Sequence, residues 1–97
     1  VFCWGESFRV IESRAFKAEA PACRFATQSG PMLVIKGELH PKLLPESDST
    51  YVRNGVGVSA DGSRAVFAIS NEAVNFNSFA RLFRDDLGLS DALYFDG

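Results

Sequence analysis

Tyr51-Val52-Arg53-Asn54-Gly55-Val56-Gly57-Val58-Ser59-Ala60-Asp61-Gly62-Ser63-Arg64-Ala65-Val66-Phe67-Ala68-Ile69 decides the fold. Its first half alternates, with Val52, Asn54, Val56 and Val58 on one face and Tyr51, Arg53, Gly55 and Gly57 on the other. That period of two predicts a strand over 51–59. Ala60-Asp61-Gly62-Ser63 is a turn signal. Ala65 to Ile69 is a near-continuous apolar run, expected to be a strand covered on both sides. The two strands should pair as an antiparallel hairpin. If Ser59 pairs near Arg64, Arg53 comes opposite Ser70.

Downstream lies the clearest helix. Asn75 is a good N-cap, since its side-chain oxygen can accept an orphan amide of the first turn. Val74 and Phe79 occupy the positions of a hydrophobic staple. Phe76, Phe79, Ala80, Phe83 and Leu87 recur at helical spacing, with Asn77, Arg81, Arg84 and Asp85 expected to face water. Gly88 suits the left-handed position that ends many helices. Ala92 to Phe95 reads as a strand, so 65–95 forms a strand-helix-strand unit. Its two strands should run parallel, joined by a right-handed crossover.

Upstream the signals weaken. The first thirty residues read as short strands, around Phe8 to Glu12 and Arg24 to Thr27. Gly30-Pro31 marks a break before the apolar run Met32 to Ile35, and Lys36-Gly37 suits a two-residue hairpin turn into Glu38-Leu39. His40 to Thr50 reads as a loop. The fold class is therefore α/β (mixed α+β), a mixed sheet holding a hairpin and a strand-helix-strand unit.

Composition narrows the function. Of 97 residues 46% are apolar, ordinary for a globular core. A net charge of −2 with both signs scattered disfavours a nucleic-acid backbone as partner. No apolar run approaches the ~20 residues of a membrane span. One histidine and no Cys-x-x-Cys leave a zinc site without support, and neither metal nor cofactor is expected. Cys3 and Cys23 could pair, closing a loop worth about 3 kcal/mol. Two buried thiols is the plainer reading. The chain opens on Val1 and stops after a strand-like run, so both ends are expected to be cuts within a larger single domain. Bare strand edges could then support self-association.

The topology gathers polar groups on one rim. Ser70 and Asp96 lie at the carboxyl ends of the two parallel strands, where ligands of open α/β sheets collect. Arg53 offers a planar fork suited to phosphate or carboxylate, although a surface ion pair is an equally simple role. Gly55 and Gly57 leave either an open slot beside Arg53 or room for close packing. Asn71 lines the loop after Ser70. Asp96 could serve as an acid or base, bind a sugar hydroxyl, or simply form a turn with Gly97. A Ser-His-Asp arrangement cannot be drawn around the lone His40.

Four segments carry a resemblance. Thr27-Gln28-Ser29-Gly30-Pro31-Met32-Leu33, Arg53-Asn54-Gly55-Val56-Gly57-Val58, Val74-Asn75-Phe76 through Phe79-Ala80, and Ala92-Leu93-Tyr94-Phe95-Asp96-Gly97 stand in the order and at the spacings of the phosphodiester glycosidase family. The chain is most similar to the bacterial branch, from about Phe25 onward. The resemblance implies a piece of a larger α/β domain that hydrolyses a sugar joined through its anomeric carbon to a phosphodiester. It implies a phosphate-contacting Arg53 with Asn54 and Gly55 beside it, a Gly30-Pro31 leading into a strand, and Asp96-Gly97 at the catalytic end. Asp96 would be the carboxyl group near the anomeric centre. Other branches carry Asp-Gly where this chain has Ser70-Asn71. The alternative is a non-catalytic module that binds a phosphosugar or glycan. The fragment alone should be nearly inactive, and Arg53→Ala should remove substrate binding while leaving the melting temperature within a few degrees. Bacterial relatives are often exported, which implies a periplasmic or secreted location.

Overall fold

A computed structural model describes residues 1–43, 45 and 47–95. Its main element is a five-stranded sheet in the order β5-β4-β8-β6-β7. These strands are β4 (Met32–Ile35), β5 (Glu38–Leu39), β6 (Asn54–Val58), β7 (Ala65–Ile69) and β8 (Asp91–Phe95). A smaller sheet, ordered β2-β1-β3, holds β1 (Phe2–Trp4), β2 (Phe8–Val10) and β3 (Phe25–Thr27).

The hairpin forms as the alternation and turn signal predict. β6 and β7 pair antiparallel with Val56 opposite Phe67, and Ser70 N donates to Arg53 O at 2.8 Å. Lys36 and Gly37 both take positive φ, so β4 turns directly into β5. β6 also pairs antiparallel with β8, Asn54 opposite Phe95. β7 and β8 therefore run in the same direction, as expected of a strand-helix-strand unit. They are not neighbours, however, because β6 is threaded between them. β7 ends the sheet and is not covered on both sides as expected: Val66 and Ala68 pack on the helix-side core, but on the other face Phe67 is 63% and Ile69 70% exposed. An apolar run alone cannot separate a central strand from an edge.

Helix α2 (Phe76–Arg81) begins at Asn75, whose side chain accepts from Ser78 N at 2.8 Å. It widens into a π-helical turn over Leu82–Asp86 and stops before Gly88 at φ 66°. Phe79 and Phe83 meet edge to face and are buried with Ala80 against Leu33, Val34, Leu89 and Ala92. Each ring contributes about 1.5–3 kcal/mol by leaving water. The opposite sheet face buries Val56, Val58 and Leu93 against Phe2 and Val10 of the small sheet. The layers are thus helix, large sheet, small sheet.

Two upstream expectations change. Residues 13–19 form a helix, α1 (Ser13–Glu19), capped by the Glu12 carboxylate, which accepts from Arg14 N and Ala15 N. Cys3 and Cys23 are joined as a disulfide rather than left as thiols, tying β1 to the segment before β3. Among the described residues no helix is long and apolar enough to cross a membrane.

Candidate functional site

Antiparallel pairing brings several chain segments to one edge of the large sheet. Arg53 leads into β6, Ser70 follows β7, and Phe95 ends β8 opposite Asn54. Gly30-Pro31 joins them, because β4 runs antiparallel to β8 and Tyr94 N donates to Pro31 O at 3.1 Å. The structure thus collects Gly30, Arg53, Asn54, Ser70 and Asn71 on a single rim. Asp96 and Gly97 lie outside the described residues; Asp96 is one peptide bond beyond Phe95.

Arg53 is the centre of this rim, and it is 2% exposed. Its Nε donates to Val74 O at 2.7 Å and its Nη2 to Ser49 O at 2.8 Å. The guanidinium lies over Phe76, 3.7 Å from the ring centroid, with Tyr51 and Tyr94 at 5.3 and 5.7 Å. Phe76 and Tyr94 meet edge to face beneath it. Cation–π contact of this kind strengthens where water is excluded. Among the described residues Arg53 meets carbonyls and rings rather than a carboxylate, so the surface ion pair considered from sequence does not form there. Burial also overturns the expectation that Arg53→Ala leaves the melting temperature almost unchanged. Truncation would remove two hydrogen bonds and the ring contact at once.

The neighbours are fixed by the backbone. Ser70 Oγ accepts from Arg53 N at 2.8 Å, so the hydroxyl closes the end of the hairpin. Asn71 is exposed, and with Ser70, Glu72 and Ser78 it borders a depression of about 330 Å³ beside Phe79. Asn54 is half-buried. Of the two readings of Gly55 and Gly57, close packing holds and the open slot does not: β8 and the helical layer fill the space. A Cβ at Gly55 would stand 2.6 Å from Leu93 O and 3.3 Å from Phe79, and one at Gly57 would meet Leu89 and Phe83 at 2.5 and 2.7 Å. Those glycines let α2 and its following turn sit close on β6.

The loop before Tyr51 is fastened across this edge. Asn75 Nδ2 donates to Pro45 O and Ser47 O, and Asn77 Nδ2 donates to Leu43 O. Asn77, expected to face water, is 6% exposed. Its polarity disguised a buried group satisfied by a backbone carbonyl. The aromatic box of Tyr51, Phe76 and Tyr94 was also missed, since Phe76 counted only towards the helix stripe. The one usable signal was Arg53 sharing a strand face with Tyr51.

A larger cleft, about 610 Å³, opens at the opposite end of the sheet between the small sheet and the Ser59–Gly62 turn. It contains none of the candidate residues. Among the described residues no group of three or more His, Cys, Asp or Glu could hold a metal.

Comparison with known proteins covers almost the whole chain. The uncharacterized protein YigE of Escherichia coli (strain K12) is 39% identical over 93 residues, covering 96% of this chain. The chain spans only 36% of that relative's length. No solved structure matches the chain. The profile of the family described as Phosphodiester glycosidase matches residues 5–97. With the sheet, its helix and its rim all inside that match, the chain belongs to the phosphodiester glycosidase family.

Proposed function

We propose that this chain is part of an enzyme that hydrolyses a sugar-phosphodiester linkage, and that the rim around Arg53 forms one wall of its active site. The observation that carries this reading is the buried Arg53 guanidinium, held at the edge where β6 begins and β8 ends. Fixed by two carbonyls and an aromatic face, it supplies positive charge at low reorganisation cost. A phosphodiester carries one negative charge, which such an edge would orient. Asp96, following β8 directly, is the carboxyl group we assign to the anomeric centre. The reaction breaks the bond between the anomeric carbon and the phosphate oxygen, water supplies the new hydroxyl, and the phosphomonoester departs. Its oxocarbenium-like transition state is stabilised by a nearby carboxylate. Asn54, Asn71 and the Gly30-Pro31 segment are assigned to sugar and phosphate contacts, with Gly55 and Gly97 shaping the backbone around them.

A non-catalytic phosphosugar- or glycan-binding module is the second reading. Ser70 favours it, since its hydroxyl is occupied by the Arg53 amide where other branches of the family carry an acid. Turnover by the intact protein separates the two. The enzyme reading expects sugar release from an N-acetylglucosaminyl phosphodiester or a related sugar. Asp96→Asn should lower kcat far more than it raises KM. Tight binding without release across a panel of sugars, divalent metal included, would establish the module instead. The Cys3–Cys23 disulfide supports a location in an oxidising compartment such as the periplasm or the exterior.

A further inference from the structure

The depression beside the rim differs from the rest of this edge in that its polar side chains are uncommitted. The Asn75 and Asn77 amides and the Ser70 hydroxyl are each engaged with backbone. Among the described residues, Asn71, Glu72 and Ser78 make no side-chain hydrogen bond, and Glu72 makes no ion pair. These three border an apolar floor that includes Val74, Phe79 and Leu82, and the enclosed volume is about 330 Å³. Ligand sites span about 300–1,000 Å³, so this one has the size for a single ring. Asn71 and Glu72 are exposed and Ser78 is half-buried. The depression's place follows from strand pairing. Ile69 and Phe95 both face Asn54, so the ends of β7 and β8 stand two strand spacings apart, about 10 Å. Arg53 lies between them. Val74, whose carbonyl accepts from Arg53 Nε, also lines the depression, which makes it the neighbour of Arg53 on the β7 side.

We propose that this depression is the subsite for the sugar ring, that it takes one neutral pyranose, and that Glu72 determines that specificity. The inference rests on the reading of Arg53 as the phosphodiester's contact, whether the intact protein cleaves the linkage or only binds it. With the phosphodiester at Arg53, the hydroxyls remote from the anomeric carbon extend past Ser70 towards Glu72. A pyranose has an apolar C–H face and a hydroxylated edge, and the depression offers a counterpart to each. The C–H face rests on the Val74 and Leu82 side of the floor. The hydroxyls meet Asn71 and Ser78, which both donate and accept, and Glu72. An ionised carboxylate only accepts, so Glu72 can take charge-assisted hydrogen bonds from two adjacent hydroxyls. It repels a ring that carries a carboxylate of its own at that end.

The test compares a neutral sugar phosphodiester with its uronic-acid counterpart on the intact protein, reading KM where the diester is cleaved and Kd where it is only bound. The unsubstituted protein should favour the neutral ring by about fivefold or more. Glu72→Gln keeps the shape and removes the charge. It should weaken the neutral diester about tenfold, leave any kcat within about twofold, and abolish the preference over the acidic ring. Glu72→Asp should keep the preference. Glu72 is exposed, so the thermal melt of either variant should match that of the parent. A preference for the acidic ring overturns the proposal, as does a Glu72→Gln protein unchanged towards both diesters while Arg53→Lys weakens them; the subsite then falls and the Arg53 reading stands. An intact protein that neither binds nor cleaves any sugar phosphodiester removes both.

Discussion

Arg53 shows how one residue can be placed correctly by sequence yet misjudged in character. Its alternation with Gly55 and Gly57 and its position opposite Ser70 follow from hairpin register. Its burial does not, because that depends on Ser49 and on Phe76 in the helix after β7, both remote from the strand's own pattern. Arg53→Ala should lower unfolding free energy in urea by about 2–4 kcal/mol, since buried carbonyls lose a charged donor. Loss under about 0.5 kcal/mol would show that the site is hydrated. Arg53→Lys keeps the charge but cannot span both Val74 O and Ser49 O with a planar fork, so it should recover only part of that loss.

Elements were legible where a local rule acted alone. The Asn75 cap, the Gly88 stop and the Lys36-Gly37 turn are each fixed by nearby backbone chemistry. α1 was not legible, because none of its residues is buried and so it shows no apolar period. Its Ala, Lys and Arg content was the available signal, through propensity rather than pattern. At β6, Gly57→Ala should cost about 1–3 kcal/mol, because the new methyl group collides with Leu89 and Phe83. Equal stability in thermal melts would mean that the helical layer yields freely. The β6–β7 turn should respond to acid. Asp61 accepts from the Ser63 amide, then from the Ser63 and Ser59 hydroxyls, and these bonds hold its carboxyl down to about 2. With its folded value depressed, its contribution is complete above an unfolded value of about 4. It fades as pH falls towards the folded value. The gap in melting temperature between the native chain and Asp61→Asn should therefore close over that acid range and stay constant from neutral pH down to it. A gap independent of pH throughout would contradict the assignment.

At the scale of the whole molecule, what sequence could not supply was the order of the strands. A strand-helix-strand unit fixes direction, but only the pairing of β6 with both β7 and β8 shows which strand is central. The small sheet adds a third layer whose tie is covalent. Cys3 to Cys23 closes a loop of 20 residues, so reduction or Cys23→Ser should cost about 3 kcal/mol of stability. An unchanged denaturation midpoint after reduction would show that the unfolded chain is not constrained by it. The larger consequence of strand order is the rim, since it brings Gly30-Pro31, Arg53, Asn54, Ser70 and the end of β8 together. Amide chemical-shift mapping on the intact protein, titrated with an N-acetylglucosaminyl phosphodiester, tests that convergence most directly. We expect the largest shifts at Asn54, Ser70, Asn71, Tyr94 and Phe95, and little at Ala60–Gly62. Shifts centred on the cleft beside Ala60–Gly62, with the rim silent, would contradict the account.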